Sequence, residues 1–131
     1  MLPERETNHP STGLSVIVGE PRPLVQVFLS GELNYLTAPQ LEAQVPRVLS
    51  ALERAETAWV LIDTAQIGFL DVSGVRALLA CAREVTAHGA TGVALVAPET
   101  PAMGLCRWMG LEKILPIYSN EEEALKEINS P

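Results

Sequence analysis

The sequence has no apolar run longer than a strand. Each such run is broken by charge or glycine, so none is long enough to cross a bilayer as a helix. It shows no basic-then-apolar leader, which leaves the expectation of a protein that is not exported. Cysteine is scarce: Cys81 and Cys106 are the two, far apart and without C-x-x-C spacing. They offer neither a zinc site nor a thioredoxin-type pair, and the simplest expectation is two ordinary buried thiols in a reduced, cytoplasmic protein. Histidine is as rare, at His9 and His88. Positive charge is in deficit too, with 9 Lys and Arg against 16 Asp and Glu and a net charge of -7. Such a surface repels a nucleic-acid backbone and an anionic membrane, which excludes both as expected partners and leaves other proteins.

The 131 residues, 47% hydrophobic and 19% charged, suffice for one domain with a real core. Residues 1–13 are polar, carry Pro3 and Pro10 and lack periodicity, so they read as a flexible tail before a single domain over 14–131. No internal repeat or low-complexity stretch interrupts it.

Leu14 to Val18 and Leu24 to Ser30 read as strands joined by a turn over Gly19-Glu20-Pro21-Arg22-Pro23. Thr37 with Gln40 has the form of a capping box, and Pro39 suits a first helical turn. The stripe Leu41, Val45, Val48, Leu49, Leu52 continues that helix, with Pro46 as an expected kink. Ala58 to Asp63 reads as a buried strand, Ser73 to Ala87 as a helix stopped at Gly89, and Gly92 to Val96 as a strand. A short helix over Pro101 to Met109, an edge strand over Leu115 to Tyr118 and a last helix over Asn120 to Ile128 complete the chain. Ser119 with Glu122, or Asn120 with Glu123, would cap that last helix, whose Glu121-Glu122-Glu123 run suits the dipole and needs no metal. The expected architecture is α/β: a mixed, mostly parallel sheet of four to five strands covered by about four helices.

The stretch carrying chemistry runs from Val60-Leu61-Ile62-Asp63 to Asp71-Val72-Ser73-Gly74-Val75, a strand leading through a loop into a helix. It puts the Ser73 hydroxyl at a helix N-terminus, where free N–H groups and the dipole favour an added phosphate. Either Asp71 or Ser73 also serves as an ordinary N-cap. At 100° per residue, Val75, Leu78, Leu79, Ala82 and Val85 share the face expected to meet the sheet. Ser73, Arg76, Ala77, Ala80, Arg83 and Glu84 share the other. Small residues there let another backbone approach, although alanine is also simply the best helix former.

Asp71-Val72-Ser73-Gly74, the upstream Gly31-Glu32-Leu33-Asn34-Tyr35-Leu36-Thr37-Ala38-Pro39 and the downstream Met109-Gly110-Leu111-Glu112-Lys113-Ile114 together resemble the STAS domain of anti-sigma factor antagonists. The resemblance spans nearly the whole chain and implies the STAS fold. It further implies a bacterial regulator of transcription, without catalysis or cofactor, that binds an anti-sigma factor with a serine/threonine kinase fold and so frees a sigma factor. Phosphorylation of Ser73 would end that binding, with ATP held by the partner. The partner-binding set implied is Asn34, Asp71, Val72, Ser73, Gly74, Arg76, Ala77 and Ala80, on a monomer or weak homodimer without membrane insertion. Two positions depart from the family: Asn34 stands where an acid is usual, and Val72 where a second serine is common. The competing readings are a constitutive STAS subunit of a stress-signalling scaffold or lipid-transport complex, and a serine hydrolase. The hydrolase is poorly served, since G-x-S-x-G is absent and His88 suits a helix C-terminus. Trp59 and Trp108 read as apolar surface filling.

Overall fold

The computed structural model of the chain describes residues 13–21 and 23–129. The expected tail through residue 12, and Arg22 of the first turn, lie outside the described residues. Gly13 does not behave as tail, because its carbonyl accepts the Glu32 N–H at 3.0 Å.

Strands β1 (Leu14–Val18) and β2 (Val25–Leu33) form the expected antiparallel hairpin. Helices α1 (Ala38–Ala43) and α2 (Val45–Arg54) follow, then β3 (Trp59–Leu70), α3 (Val72–Ala87) and β4 (Gly92–Val96). The chain continues through α4 (Pro101–Trp108), a 3-10 turn (Leu111–Lys113), β5 (Ile117–Tyr118) and α5 (Glu121–Ile128). The five strands lie in chain order, β1 antiparallel and the others parallel. This is the mixed sheet expected from the alternation of strands and helices.

Pro46 does more than kink the first helix. It has no N–H to offer the carbonyl of Glu42 and its ring crowds that carbonyl, so the helix ends at Ala43 and restarts after Gln44. Asn120 is the cap chosen at the last helix, its Oδ1 accepting the Glu123 N–H at 2.8 Å. His88 ends α3, its Nδ1 lying 2.9 Å from the Glu84 carbonyl.

The sheet is covered unequally. On one face Val25, Val27, Leu29, Val60, Ile62, Val93 and Leu95 meet α1, α2, α3 and α4 in the main core. On the other, α5 alone packs Ala124, Leu125 and Ile128 over Leu61, Ala94, Val96 and Tyr118. Trp59 joins this smaller cluster, its ring lying against Gly92 where any Cβ would collide. Each fully buried aliphatic side chain contributes about 1.5–3 kcal/mol, so the main core dominates stability.

Beyond Asp63, where pairing with β4 ends, β3 continues to Leu70 along β2 alone. This extension departs from the expected strand end at Asp63. Residues 64–70 are half-exposed, and so lack the continuous apolar run that marks a buried strand. The two strands that outrun the sheet carry the loops opening α1 and α3.

Leu78 is 1% exposed at the centre of the α3 face on the sheet. Leu78→Ala is expected to cost about 3 kcal/mol in equilibrium urea unfolding, against under about 0.5 kcal/mol for Arg76→Ala on the open face. Equal midpoints for the two variants would contradict this packing.

Candidate functional site

Asn34 begins the site by closing the β2–α1 loop on itself. Its Oδ1 accepts the N–H groups of Leu36 at 2.9 Å and Thr37 at 3.1 Å, while its carbonyl accepts the Ala38 N–H at 2.8 Å. Asn34 therefore does the capping expected of Thr37, whose backbone is already helical and whose side chain makes no cap. The buried Thr37 hydroxyl turns back instead, donating to the Glu32 carbonyl at 2.8 Å and accepting the Asn34 N–H at 2.9 Å. Gln40 closes no box; its N–H donates to the Thr37 carbonyl at 2.8 Å.

Asp71 joins this loop to the next one. Its Oδ1 accepts the Gly74 N–H at 2.8 Å, which makes it the N-cap of α3, and its carbonyl accepts the Val75 N–H at 3.1 Å. Its Oδ2 accepts the Tyr35 N–H of the other loop at 3.3 Å, and its N–H donates to the Leu33 carbonyl at 3.3 Å. One carboxylate thus caps a helix and pins a neighbouring loop.

With Asp71 as cap, Ser73 is the second residue of α3, half-buried, its hydroxyl without a hydrogen-bond partner among the described residues. The N–H groups of Val72 and Ser73 lead the helix with no intrahelical acceptor. A hydroxyl there stands at the positive end of the helix dipole.

Two residues of the expected partner-binding set are buried. Ala77 is 3% exposed and belongs to the main core, because the split helix α1–α2 packs along this flank of α3 and claims part of the face that the helical wheel leaves to solvent. Gly74 is buried: a Cβ there would strike the Leu33 carbonyl oxygen and come within 2.6 Å of the Leu70 side chain. Both are packing requirements that set how closely α3 lies on β2. Val72, Arg76 and Ala80 are exposed, with Asn34 and Asp71 half-buried beside them.

The helical pattern did not disclose an apolar rim. Tyr35 and Leu36, each 68% exposed, Phe69 at 51% and Val72 at 38% all lie on the two loops or the strand end that carries them. Phe69 stands in register with Glu32, two residues before Asn34. Large apolar side chains in a turn are the available signal, visible as Tyr35-Leu36 after Asn34. Trp108, expected to fill apolar surface, is 82% exposed at the end of α4 and fills nothing.

Burial pushes the Cys81 thiol up to about 11, helped by Glu84, and raises Cys106 likewise, so both are thiols at neutral pH. Among the described residues no three or more His, Cys, Asp or Glu side chains are grouped to hold a metal.

These two strand ends and the Asp-capped helix lie within residues 15–124, which match the family described as the STAS domain. The chain belongs to the STAS domain family. It is 30% identical over 107 residues to the anti-sigma F factor antagonist of Paenibacillus polymyxa, covering 82% of this chain and 88% of that protein. An anti-sigma factor antagonist from Mycobacterium paratuberculosis superimposes with a TM-score of 0.76 at 25% identity, over 89% of this chain and 95% of that one. SpoIIAA of Bacillus, solved in its phosphorylated form, shares the STAS fold with a TM-score of 0.57 at 24% identity, over 88% of this chain and all (100%) of that one. Within the STAS family the chain therefore falls among the anti-sigma factor antagonists.

In this STAS domain Asp71→Ala removes a cap and the tie to Tyr35 together. The expected loss is about 1–2 kcal/mol in urea unfolding, with faster amide exchange at Tyr35 and Gly74 while the core amides keep their protection ranking. Unchanged exchange at Tyr35 would contradict the role given to Oδ2.

Proposed function

We propose that this chain is a partner-switching anti-sigma factor antagonist whose phosphoacceptor is Ser73. Unmodified, it binds an anti-sigma factor of serine/threonine kinase fold and so releases a sigma factor in the cytoplasm; phosphorylated, it lets the anti-sigma factor go. The observation that carries this reading is the Ser73 hydroxyl, without a hydrogen-bond partner among the described residues, at the second position of α3, on the same pair of loops and strand end that expose Tyr35, Leu36, Phe69 and Val72.

The rim supplies contact area of the aromatic and aliphatic kind that anchors protein interfaces. A phosphate at its centre adds about -1.5 to -2 charges and three acceptor oxygens, which the helix N-terminus stabilises, so the fold survives the modification. Docked against a partner, the same dianion has to be stripped of water, a cost of a few kcal/mol that weakens binding about a hundredfold or more. The catalytic machinery and ATP belong to the partner, and this chain is its substrate. Asn34 fills the structural need of its turn but brings no carboxylate, so transfer to Ser73 is expected to be slow.

The test is affinity capture from the host lysate with wild-type and Ser73→Asp baits, identifying bound proteins by mass spectrometry. A kinase-fold anti-sigma factor captured by wild type and lost with Ser73→Asp is the expected result. Equal capture of transporter or scaffold subunits by both baits would overturn it in favour of a constitutive STAS subunit.

A further inference from the structure

Positive charge is absent from nearly everything around Ser73. Residues 23–46 and 55–75, which supply β2, α1, β3 and both site loops, contain no lysine or arginine at all. Arg76, three residues after Ser73 on α3, is the cation nearest to it in sequence. It is exposed and has no ion pair among the described residues, in a chain of net charge -7.

The other described cations lie on other parts of the surface. Arg47 lines a depression with Leu14, Ser15 and Val16, and Arg83 lines a groove with Trp59, Thr91 and Ile114. Arg107 is held by Glu99 at 3.1 Å and Glu112 at 3.5 Å. Arg54 ends α2, Lys113 sits in the 3-10 turn and Lys126 belongs to α5 on the opposite face of the sheet. Apart from Arg76 and Arg107, the charged groups on the elements packed around α3 are Asp71 at the cap, Glu32 on β2, Asp63 on β3, Glu42 on α1, Arg47, Glu53 and Arg54 on α2 and, farther along α3, Arg83 and Glu84.

Residues three apart on a helix have Cβ atoms about 5–6 Å from one another, within reach of an arginine and a phosphorylated serine. The guanidinium matches phosphate oxygens two at a time. We propose that Arg76 pairs with a phosphate on Ser73, so that modification withdraws a cation from the docking face as well as adding an anion. The proposal rests on the reading of Ser73 as the acceptor. In the unmodified protein Arg76 stands free beside the apolar rim, and the partner surface that fits it presents a carboxylate. Phosphorylation then removes that attraction at the moment it adds the desolvation cost.

The experiment uses the full chain with phosphoserine installed at position 73 through an expanded genetic code, so no kinase is needed. The phosphate is titrated by 31P NMR in the parent protein and in Arg76→Ala, Arg76→Lys and Arg83→Ala variants, each checked for the native amide spectrum. A paired cation favours the dianion, so the second phosphate pKa is expected to rise by about half a unit, or about threefold in the ionisation constant, in Arg76→Ala. Arg76→Lys is expected to keep part of the effect and Arg83→Ala to match the parent. Arg76→Ala titrating with the parent, or Arg83→Ala shifting as far as Arg76→Ala, would overturn the pairing. Neither result bears on whether the native kinase uses Ser73, which the capture experiment addresses separately.

Discussion

Asp71 is the constraint on which the site depends. Its two carboxylate oxygens face different segments, one accepting the Gly74 N–H and the other the Tyr35 N–H. With the cap at Asp71, Ser73 becomes the second helical residue and its hydroxyl is released from capping work. A serine at the cap position would spend its oxygen on a backbone N–H and would have little freedom to react. The same carboxylate holds the Tyr35 backbone beside the start of α3, so the Ser73 hydroxyl and this part of the apolar rim are positioned by one group. Gly74 completes the arrangement, since any side chain there would push α3 away from the Leu33 carbonyl and break the register between the loops.

The sheet explains why this surface is exposed. β2 and β3 pair beyond the end of β4, and residues past Asp63 have only one neighbouring strand. They carry the two loops beyond the end of β4. Phe69 belongs to this projecting part and is therefore half in solvent despite lying in a strand. Stability resides in the main core under α1 to α4, and the site draws little on it. In the proposed function that separation matters, because a phosphate can be added and removed at Ser73 without disturbing the packing that defines the fold.

Most of the architecture was legible because the strands and helices follow strong periodicities. Gly92–Val96 is a continuous apolar run in a central strand, and the α3 stripe of Val75, Leu78, Ala82 and Val85 packs as its spacing implies. The misreadings share a cause, namely tertiary neighbours that local patterns do not encode. Ala77 lies on the polar side of a helical wheel drawn for one covering surface, but α3 has two, the sheet and the α1–α2 pair. Thr37 fits a capping box, yet Asn34 lies three residues earlier and takes over the helix start, which frees the threonine hydroxyl for the Glu32 carbonyl. The end of β3 alternates poorly because only β2 accompanies it. The exposed rim was unreadable for a similar reason, since Tyr35, Leu36 and Phe69 are ordinary core candidates until the fold shows that nothing among the described residues covers them.

The central claim is that a complex at the Ser73 face is toggled by charge at that one residue. The most direct measurement is isothermal titration of a purified anti-sigma factor kinase, obtained by capture on this chain, against the unmodified protein and against the protein carrying phosphoserine at position 73. The expected result is a Kd at least about a hundredfold weaker for the phosphorylated form, with both forms showing the same unfolding free energy within about 0.5 kcal/mol. Equal Kd values for the two forms would contradict the claim and leave Ser73 as a residue of the helix start alone.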